Sequence, residues 1–309
     1  MRGSKSERLD RVLKGKTQLA ILPAKGEAAT MAMGEPNVDA VTAPPGSVRR
    51  PAVAAAAPAL ECRGLVKTFG PIRAVDGIDL ALPGGRIYGL LGPNGSGKTT
   101  LIRLLVGLAR PTAGEARLLG VRMPSRAMLE QVGYMTQAEG VYPELSAWEN
   151  LQFFAALYGA RDREKLLATL DLVELADRRN TPAFQLSGGL RRRLSLACAL
   201  AHDPPVVILD EPTVGIDPAL RVQFWAHFRA LAAGGTTVLV TSHVMDEADR
   251  CDELLFIRSG RLIAQGSGAD LRAQAGTDDL EAAFLRFAEA AGTAGDDPPP
   301  AGRGRGSRR

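Results

Sequence analysis

Long apolar runs and paired cysteines are both missing from this chain of 309 residues. The longest apolar stretches, Ala52–Leu60 and Gln18–Pro23, fall far short of the roughly 20 residues that a membrane-spanning helix needs. The run Leu19–Leu22 is likewise too short for the apolar core of a secretory signal peptide. The 3 cysteines are isolated from one another and from any pair of histidines, so neither a disulfide framework nor a zinc motif is indicated. These absences favour a cytoplasmic protein whose thiols are reduced and buried.

A basic excess is absent from the central part of the chain, although the sequence pI is 9.1. Residues 1–57 carry a net charge of +4 and residues 292–309 a net charge of +2, which leaves residues 58–291 at −2. The basic ends are rich in Ala, Pro, Gly and Arg without a sustained period, and we expect a disordered N-terminal extension and a flexible tail. Net charge gives no support to nucleic-acid binding by the central domain, and we expect no nucleic-acid partner.

Between these ends, strand-like and helix-like segments alternate, which is typical of an α/β fold. Strand candidates include Arg86–Leu91, Val206–Leu209 and Thr237–Thr241. Residues 144–184 predict helices only, and we expect them to form an inserted helical subdomain. A last helix over about residues 279–290 is predicted to close the domain of residues 58–291.

A glycine-rich loop after the first of these strands fits the phosphate-binding pattern G-x-x-x-x-G-K-[ST] at every fixed position. Its glycines allow backbone N–H groups to surround phosphates, the lysine brings a positive charge to the β- and γ-phosphates, and the threonine hydroxyl can bind Mg²⁺. A strand, a glycine loop and a helix in this order place phosphates at a helix N-terminus. The loop therefore predicts a nucleoside triphosphate site made by Gly92, Pro93, Asn94, Gly95, Ser96, Gly97, Lys98, Thr99 and Thr100.

Two carboxylates end a downstream apolar strand, in the segment Val206–Glu211. Acids at the end of a buried strand hold Mg²⁺ and position water in phosphoryl-transfer proteins. Asp210 is thus a candidate metal ligand, and Glu211 is a candidate base that orients or deprotonates the attacking water.

A third element is Leu186–Leu190, which is followed by the arginines 191–193 and an apolar helix. Ser187 is a good N-cap, and Gly188 and Gly189 leave the first N–H groups of that helix open to an anion. Taken alone, this pentapeptide fits a simply capped helix equally well. For the three arginines we expect a solvated helical face.

Together these motifs resemble those of the ATP-binding cassette (ABC) ATPases over about residues 59–266. The glycine loop resembles the family's Walker A motif, residues 206–211 its Walker B motif, and residues 186–190 its signature. Four further positions match in order and spacing: Phe69 for the adenine-stacking aromatic, Gln137 for the Q-loop glutamine, Asp217 for the D-loop and His243 for the switch histidine. The remaining histidines, His202 and His227, we expect on helix surfaces.

The resemblance implies a P-loop NTPase (RecA-like) core with a mixed sheet, an antiparallel β-subdomain and the inserted helical subdomain. It implies ATP and Mg²⁺ as cofactors, with Thr99, Gln137 and Asp210 at the metal and Glu211, Gln137 and His243 in hydrolysis. It also implies that ATP lies between two head-to-tail copies, each site taking Ser187, Gly188 and Gly189 from the second copy.

The expected partner is an integral membrane permease on separate chains, which would place this chain at the cytoplasmic face of the membrane. Residues 134–159 and 279–285 resemble cassettes of bacterial drug and polysaccharide exporters. A soluble cassette acting on ribosomes or nucleic acid is the alternative. One departure stands out, because Leu190 replaces the usual signature glutamine and cannot donate a side-chain hydrogen bond.

Overall fold

The computed structural model describes residues 58–137, 140–242 and 245–293. The predicted N-terminal extension, the tail beyond residue 293 and His243 therefore lie outside the described residues. Among the described helices, none has the length and apolar character needed to cross a bilayer.

One sheet is antiparallel and has four strands in the order β2-β1-β4-β5. Its hairpin consists of β1 and β2, and the shorter strands β4 and β5 pair beside β1. The bounds are β1 Leu60–Phe69, β2 Ile72–Leu82, β4 Ala113–Leu118 and β5 Val121–Arg122.

The second sheet has six strands in the order β10-β9-β3-β8-β7-β6, all parallel to their neighbours except β10. Its central strands β3, β7 and β8 are buried at every residue, as expected for parallel strands covered on both faces. The bounds are β3 Ile87–Leu91, β6 Val132–Met135, β7 Val206–Asp210, β8 Thr237–Ser242, β9 Glu253–Arg258 and β10 Arg261–Gly266. A mixed sheet and an antiparallel sheet with helices confirm the predicted fold class.

Nine α-helices are described, and side-chain caps fix the start of several of them. The bounds are α1 Lys98–Leu105, α2 Arg126–Leu129, α3 Ala147–Leu157, α4 Arg163–Leu172, α5 Gly188–Leu200, α6 Pro218–Ala233, α7 Met245–Ala248, α8 Gly268–Ala275 and α9 Leu280–Thr293. Ser146 and Glu149 form a capping box at α3, while Asp162, Ser187, Asp217 and Ser267 cap α4, α5, α6 and α8.

Hydrophobic packing joins these elements on both faces of the six-stranded sheet. On one face, buried side chains of α3, α4, α5 and α6 form a continuous cluster with β3, β7 and β8. On the other face, α1 and the antiparallel sheet pack against the same strands. A third cluster anchors α9, through Phe284, on Leu91 and Phe256. The division into a core and a helical subdomain remains a prediction.

The expectation of a helix-surface position is wrong for His202, which lies in a turn after α5 with both ring nitrogens buried. The His202 ring stacks on Tyr158 with 3.9 Å between ring centroids, and burial lowers its pKa to about 4. His227 lies half-buried on α6, and burial also lowers its pKa. The His202 ring packs against a residue at the end of α3, a contact that single-helix periodicity cannot reveal.

Candidate nucleotide-binding site

The functional motifs meet because parallel strands present their carboxyl ends at one edge of the sheet. The glycine loop follows β3, Gln137 follows β6, and Asp210 and Glu211 stand at the end of β7. A cavity of about 280 Å³ opens at this edge. Its lining consists of residues 94–100, Ala74, Gln137, Asp210 and Glu211.

Glycine is required in the loop by close backbone contacts. Gly97 adopts φ +104° as the N-cap of α1, and a Cβ there would lie 2.2 Å from the Ala74 carbonyl oxygen. A Cβ on Gly92 would lie 2.2 Å from the Ile257 carbonyl oxygen. The loop is thus pressed between β2 and β9, with its N–H groups at the start of α1 available to an anion.

Lys98 is the principal cation of the cavity, and it is only 7% exposed. Its Nζ donates to the carbonyl oxygens of Gly92 at 2.7 Å and Pro93 at 3.1 Å. Burial lowers the pKa of this ammonium, while the nearby carboxylates of Glu211 and Asp210 act in the opposite direction. A phosphate oxygen can therefore replace the two neutral carbonyls as a charged acceptor.

Ser96 adds an unsatisfied polar group to the loop. Its hydroxyl is buried and has no hydrogen-bond partner among the described residues. A buried hydroxyl without a partner is costly, so this atom also fits a site that is completed by a bound anion or water.

Asp210 connects the glycine loop to strand β8. Thr99 Oγ1 donates to Asp210 Oδ2 at 3.3 Å, and the buried Thr241 Oγ1 donates to Asp210 Oδ1 at 2.6 Å. A hydroxyl and a carboxylate are the hard oxygen ligands that Mg²⁺ prefers. The described residues contain no group of three or more His, Cys, Asp or Glu placed to hold a metal.

Glu211 follows directly in the left-handed conformation, with φ +54°. Its N–H lies 3.2 Å from the Thr241 carbonyl oxygen and 2.9 Å from Thr241 Oγ1, and it donates to both. A non-glycine residue in this conformation persists only where its surroundings hold it, and such residues cluster at functional sites.

The signature residues do not line this cavity. Ser187 and Gly188 are exposed and Gly189 is half-buried at the start of α5, where Ser187 Oγ accepts from the Leu190 N–H at 3.3 Å. Leu190, the departure from the family pattern, packs against the hydrophobic cluster beneath α5.

The expectation of a solvated face for the three arginines is wrong. Arg191 donates to the Leu186 carbonyl, and Arg193 pairs with Glu174 and Asp217 at 3.0 and 2.9 Å. Arg192 donates to backbone carbonyls at the end of β7. Sequence spacing gave no signal for these contacts. Some acceptors are main-chain carbonyls, and the two acceptor side chains are 19 and 24 residues away from Arg193 in the sequence.

Two residues that were predicted to contact the nucleotide, Phe69 and Asp217, are not part of the cavity lining. Phe69 ends β1 with 54% of its surface exposed, and the Lys67 ammonium stands 5.1 Å from its ring centroid. Asp217 caps α6, and its bond from the Leu220 N–H lowers its pKa, with Arg193 acting in the same direction. The roles of these residues in nucleotide binding stay predictions.

The glycine loop connects strand β3 to helix α1, and a parallel strand of the same sheet ends in Asp210. This arrangement defines a nucleotide-binding protein of the P-loop class. Residues 75–214 match the family model for ABC transporters. The Nod factor export ATP-binding protein I of Ralstonia nicotianae is 42% identical over 220 residues, which cover 69% of this chain and 68% of that protein. This chain therefore belongs to the ABC transporter family, which confirms the predicted resemblance.

A second relative is longer than this chain. The probable multidrug ABC transporter ATP-binding protein YbhF of Escherichia coli is 39% identical over 238 residues, or 74% of this chain. The match covers 41% of YbhF, so the chain spans about two-fifths of that relative's length.

Solved structures agree with the fold. The ATP-binding subunit of an ABC transporter superposes with a TM-score of 0.70 at 26% identity, covering 74% of this chain and 99% of that one. The cassette MJ0796, solved as a dimer in a post-hydrolysis state bound to ADP and Pi, superposes with a TM-score of 0.63 at 26% identity. It is matched over 67% of this chain and 98% of its own.

Proposed function

We propose that this chain is the ATP-hydrolysing subunit of a multi-chain exporter and binds ATP between two head-to-tail copies. The observation that carries the proposal is one cavity that joins residues 94–100 to Asp210 and Glu211. The exposed N-terminus of α5 lies outside the lining of that cavity.

The cavity residues have distinct tasks in this proposal. N–H groups at the start of α1 and the Lys98 ammonium bind the β- and γ-phosphates. Glu211 orients the attacking water and accepts its proton, assisted by Gln137 and His243. Thr99, Asp210 and Gln137 hold Mg²⁺, which when bound neutralises charge on the phosphates. Phe69 supplies a stacking surface for adenine.

A second copy completes the site in this account. The N-cap Ser187 and the first residue of α5, Gly188, are exposed, and the N–H groups at this helix start suit the γ-phosphate of a nucleotide held by the other copy. The solved dimer of the cassette MJ0796 supports the association of two copies. ATP then stabilises the dimer, and hydrolysis releases it.

A membrane permease on separate chains is the proposed partner, which places this chain peripherally at the cytoplasmic face. Relatives named for multidrug transport and for Nod factor export support an exporter. These names favour transport over the alternative of a soluble cassette acting on ribosomes or nucleic acid.

Phosphate release by the purified full chain with ATP and Mg²⁺ tests the enzymatic part of the proposal. We expect turnover by the wild type, a loss of about 100-fold or more in Glu211→Gln because the base is removed, and full activity in the exposed control Glu164→Gln. Equal activity in all three proteins would contradict the role of Glu211.

The transport part is tested by affinity capture of the tagged chain from detergent-solubilised membranes, followed by mass spectrometry. Stoichiometric recovery of one integral membrane protein is expected. Recovery of ribosomal proteins in its place would favour the alternative function.

A further inference from the structure

Arg192, in the first turns of α5, reaches the catalytic edge of the sheet from the helix that carries the signature. Its Nε donates to the Glu211 carbonyl oxygen at 3.1 Å, and its Nη2 donates to the Asp210 carbonyl oxygen at 3.0 Å and also to that of Glu211. Its Nη1 lies 3.5 Å from the Gln137 carbonyl oxygen and donates to it. One half-buried guanidinium thus contacts the main chain of three residues of the cavity.

The chemistry of this contact suits a fixed geometry. A guanidinium is planar and permanently charged, and its five donors leave in set directions, so it holds several acceptors in one arrangement. Because the acceptors are main-chain carbonyls, Arg192 fixes the backbone without using the side-chain oxygens of Asp210 or Glu211.

Glu211 needs such support on both sides. Its backbone is in the left-handed region, at φ +54°. Thr241 binds its N–H from β8, and Arg192 binds its carbonyl from α5. A strained conformation of this kind persists only while the surrounding contacts are kept, so a shift of α5 would move the carboxylate.

The neighbouring arginines make different contacts. Arg191 binds the Leu186 carbonyl, and Arg193 pairs with Glu174 and Asp217. Of the three, Arg192 is the one whose described contacts reach the end of β7.

We propose that Arg192 is a positioning residue for Glu211, and that it makes α5 a mechanical link between two nucleotide sites. The N-terminus of α5 binds the nucleotide of the second copy, while Arg192 sets the carboxylate that acts on the nucleotide of its own chain. Occupation of one site therefore promotes hydrolysis in the other. This inference rests on the proposed function, since it takes Glu211 as the base and Ser187 as a contact in the dimer.

Steady-state ATP hydrolysis by the full chain tests the link, with the variants Arg192→Gln and Arg192→Lys. The matched control is Arg229→Gln, because Arg229 on α6 also donates to a backbone carbonyl, that of Arg250, away from the cavity. We expect Arg192→Gln to lower kcat about 10- to 100-fold, as for groups that orient reacting side chains, with KM for ATP nearly unchanged. The Hill coefficient for ATP should fall to about 1, since the coupling between sites is lost. Arg192→Lys should recover part of kcat, because lysine keeps the positive charge but lacks the planar set of donors that binds several carbonyls at once.

A second measurement separates this inference from the proposed function. Hydrogen exchange of the nucleotide-free chain should speed up in peptides over residues 206–216 in Arg192→Gln, and should stay at the wild-type rate there in Arg229→Gln. Unchanged exchange over these residues, or a kcat equal to that of the control, would overturn the positioning role. A raised KM with kcat unchanged would overturn it as well. A wild-type chain without ATPase activity would instead contradict the proposed function, while the exchange experiment still decides whether Arg192 holds this segment.

Discussion

Thr241 offers the sharpest test of how the two carboxylates are held, through the substitution Thr241→Val. The Thr241 hydroxyl is fully buried, donates to Asp210 at 2.6 Å and accepts from the Glu211 N–H at 2.9 Å. Valine keeps the shape of the side chain but removes both bonds. The Glu211 N–H retains the Thr241 carbonyl, whereas Asp210 loses its shortest described donor.

The same strand supplies a matched control in Thr237→Val. Thr237 is 1% exposed, and its hydroxyl accepts from the neutral Gly85 N–H at 3.1 Å. A hydrogen bond to a charged group contributes about 1.5–3 kcal/mol and a neutral one about 1 kcal/mol. We therefore expect Thr241→Val to cost about 2–3 kcal/mol and Thr237→Val about 1 kcal/mol.

Thermal unfolding and ATPase kinetics on the full chain measure the outcome. At roughly 2–4 °C per kcal/mol for a domain of this size, Tm should fall by about 5–10 °C in Thr241→Val and by about 2–4 °C in Thr237→Val. Only Thr241→Val should lower kcat, because it alone removes hydrogen bonds that hold Asp210 and Glu211 in place. Equal shifts in Tm together with wild-type kcat in both variants would refute this reasoning.

Three further predictions address other parts of the chain. Gly97→Ala should weaken binding of a fluorescent ATP analogue about 10-fold or more, since its Cβ would meet the Ala74 carbonyl at 2.2 Å. Gly95→Ala, also at positive φ but with nothing within 4 Å of its Cβ, should weaken binding less, and equal losses would count against the close contact. Asn150→Ala should lower the free energy of unfolding, measured in urea, by about 3 kcal/mol, because the fully buried amide makes four hydrogen bonds to residues 142–146. A loss of stability below about 1 kcal/mol would show that these bonds are not needed. The His202 pKa of about 4 lies below its unfolded value of 6.5, so the unfolded chain binds the extra proton and stability falls as pH drops from about 6.5 to 4. In His202→Phe this loss, about 2–3 kcal/mol in the wild type, should shrink, and identical acid unfolding curves would contradict the assignment.

Local patterns were sufficient for the fold class and for the strands that precede the glycine loop and carry the carboxylates. The predicted strand Arg86–Leu91 appears as Ile87–Leu91, and the predicted strand Val206–Leu209 appears as Val206–Asp210. Both are short, fully buried runs with a functional segment directly after them, so sequence order alone fixes their relation.

Contacts across elements could not be predicted in the same way. Thr241 binds Asp210 from a neighbouring strand 31 residues away, and Arg192 reaches the carbonyl of Asp210 from 18 residues away. A main-chain acceptor carries no side-chain signature, so an arginine that binds it looks like any arginine on a helix surface. The stacking of His202 on Tyr158 was missed for a similar reason, since neither residue type implies the other.

The most direct test of the account is the oligomeric state of the full chain carrying Glu211→Gln, measured by light scattering with ATP and Mg²⁺. The account predicts a mass twice the 32.7 kDa of one chain with ATP and a single-chain mass without nucleotide. Adding Gly188→Arg should return the ATP-bound protein to the single-chain mass, because the arginine would fill the exposed N-terminus of α5. A Glu211→Gln chain that binds ATP yet stays at the single-chain mass would contradict a site completed by a second copy.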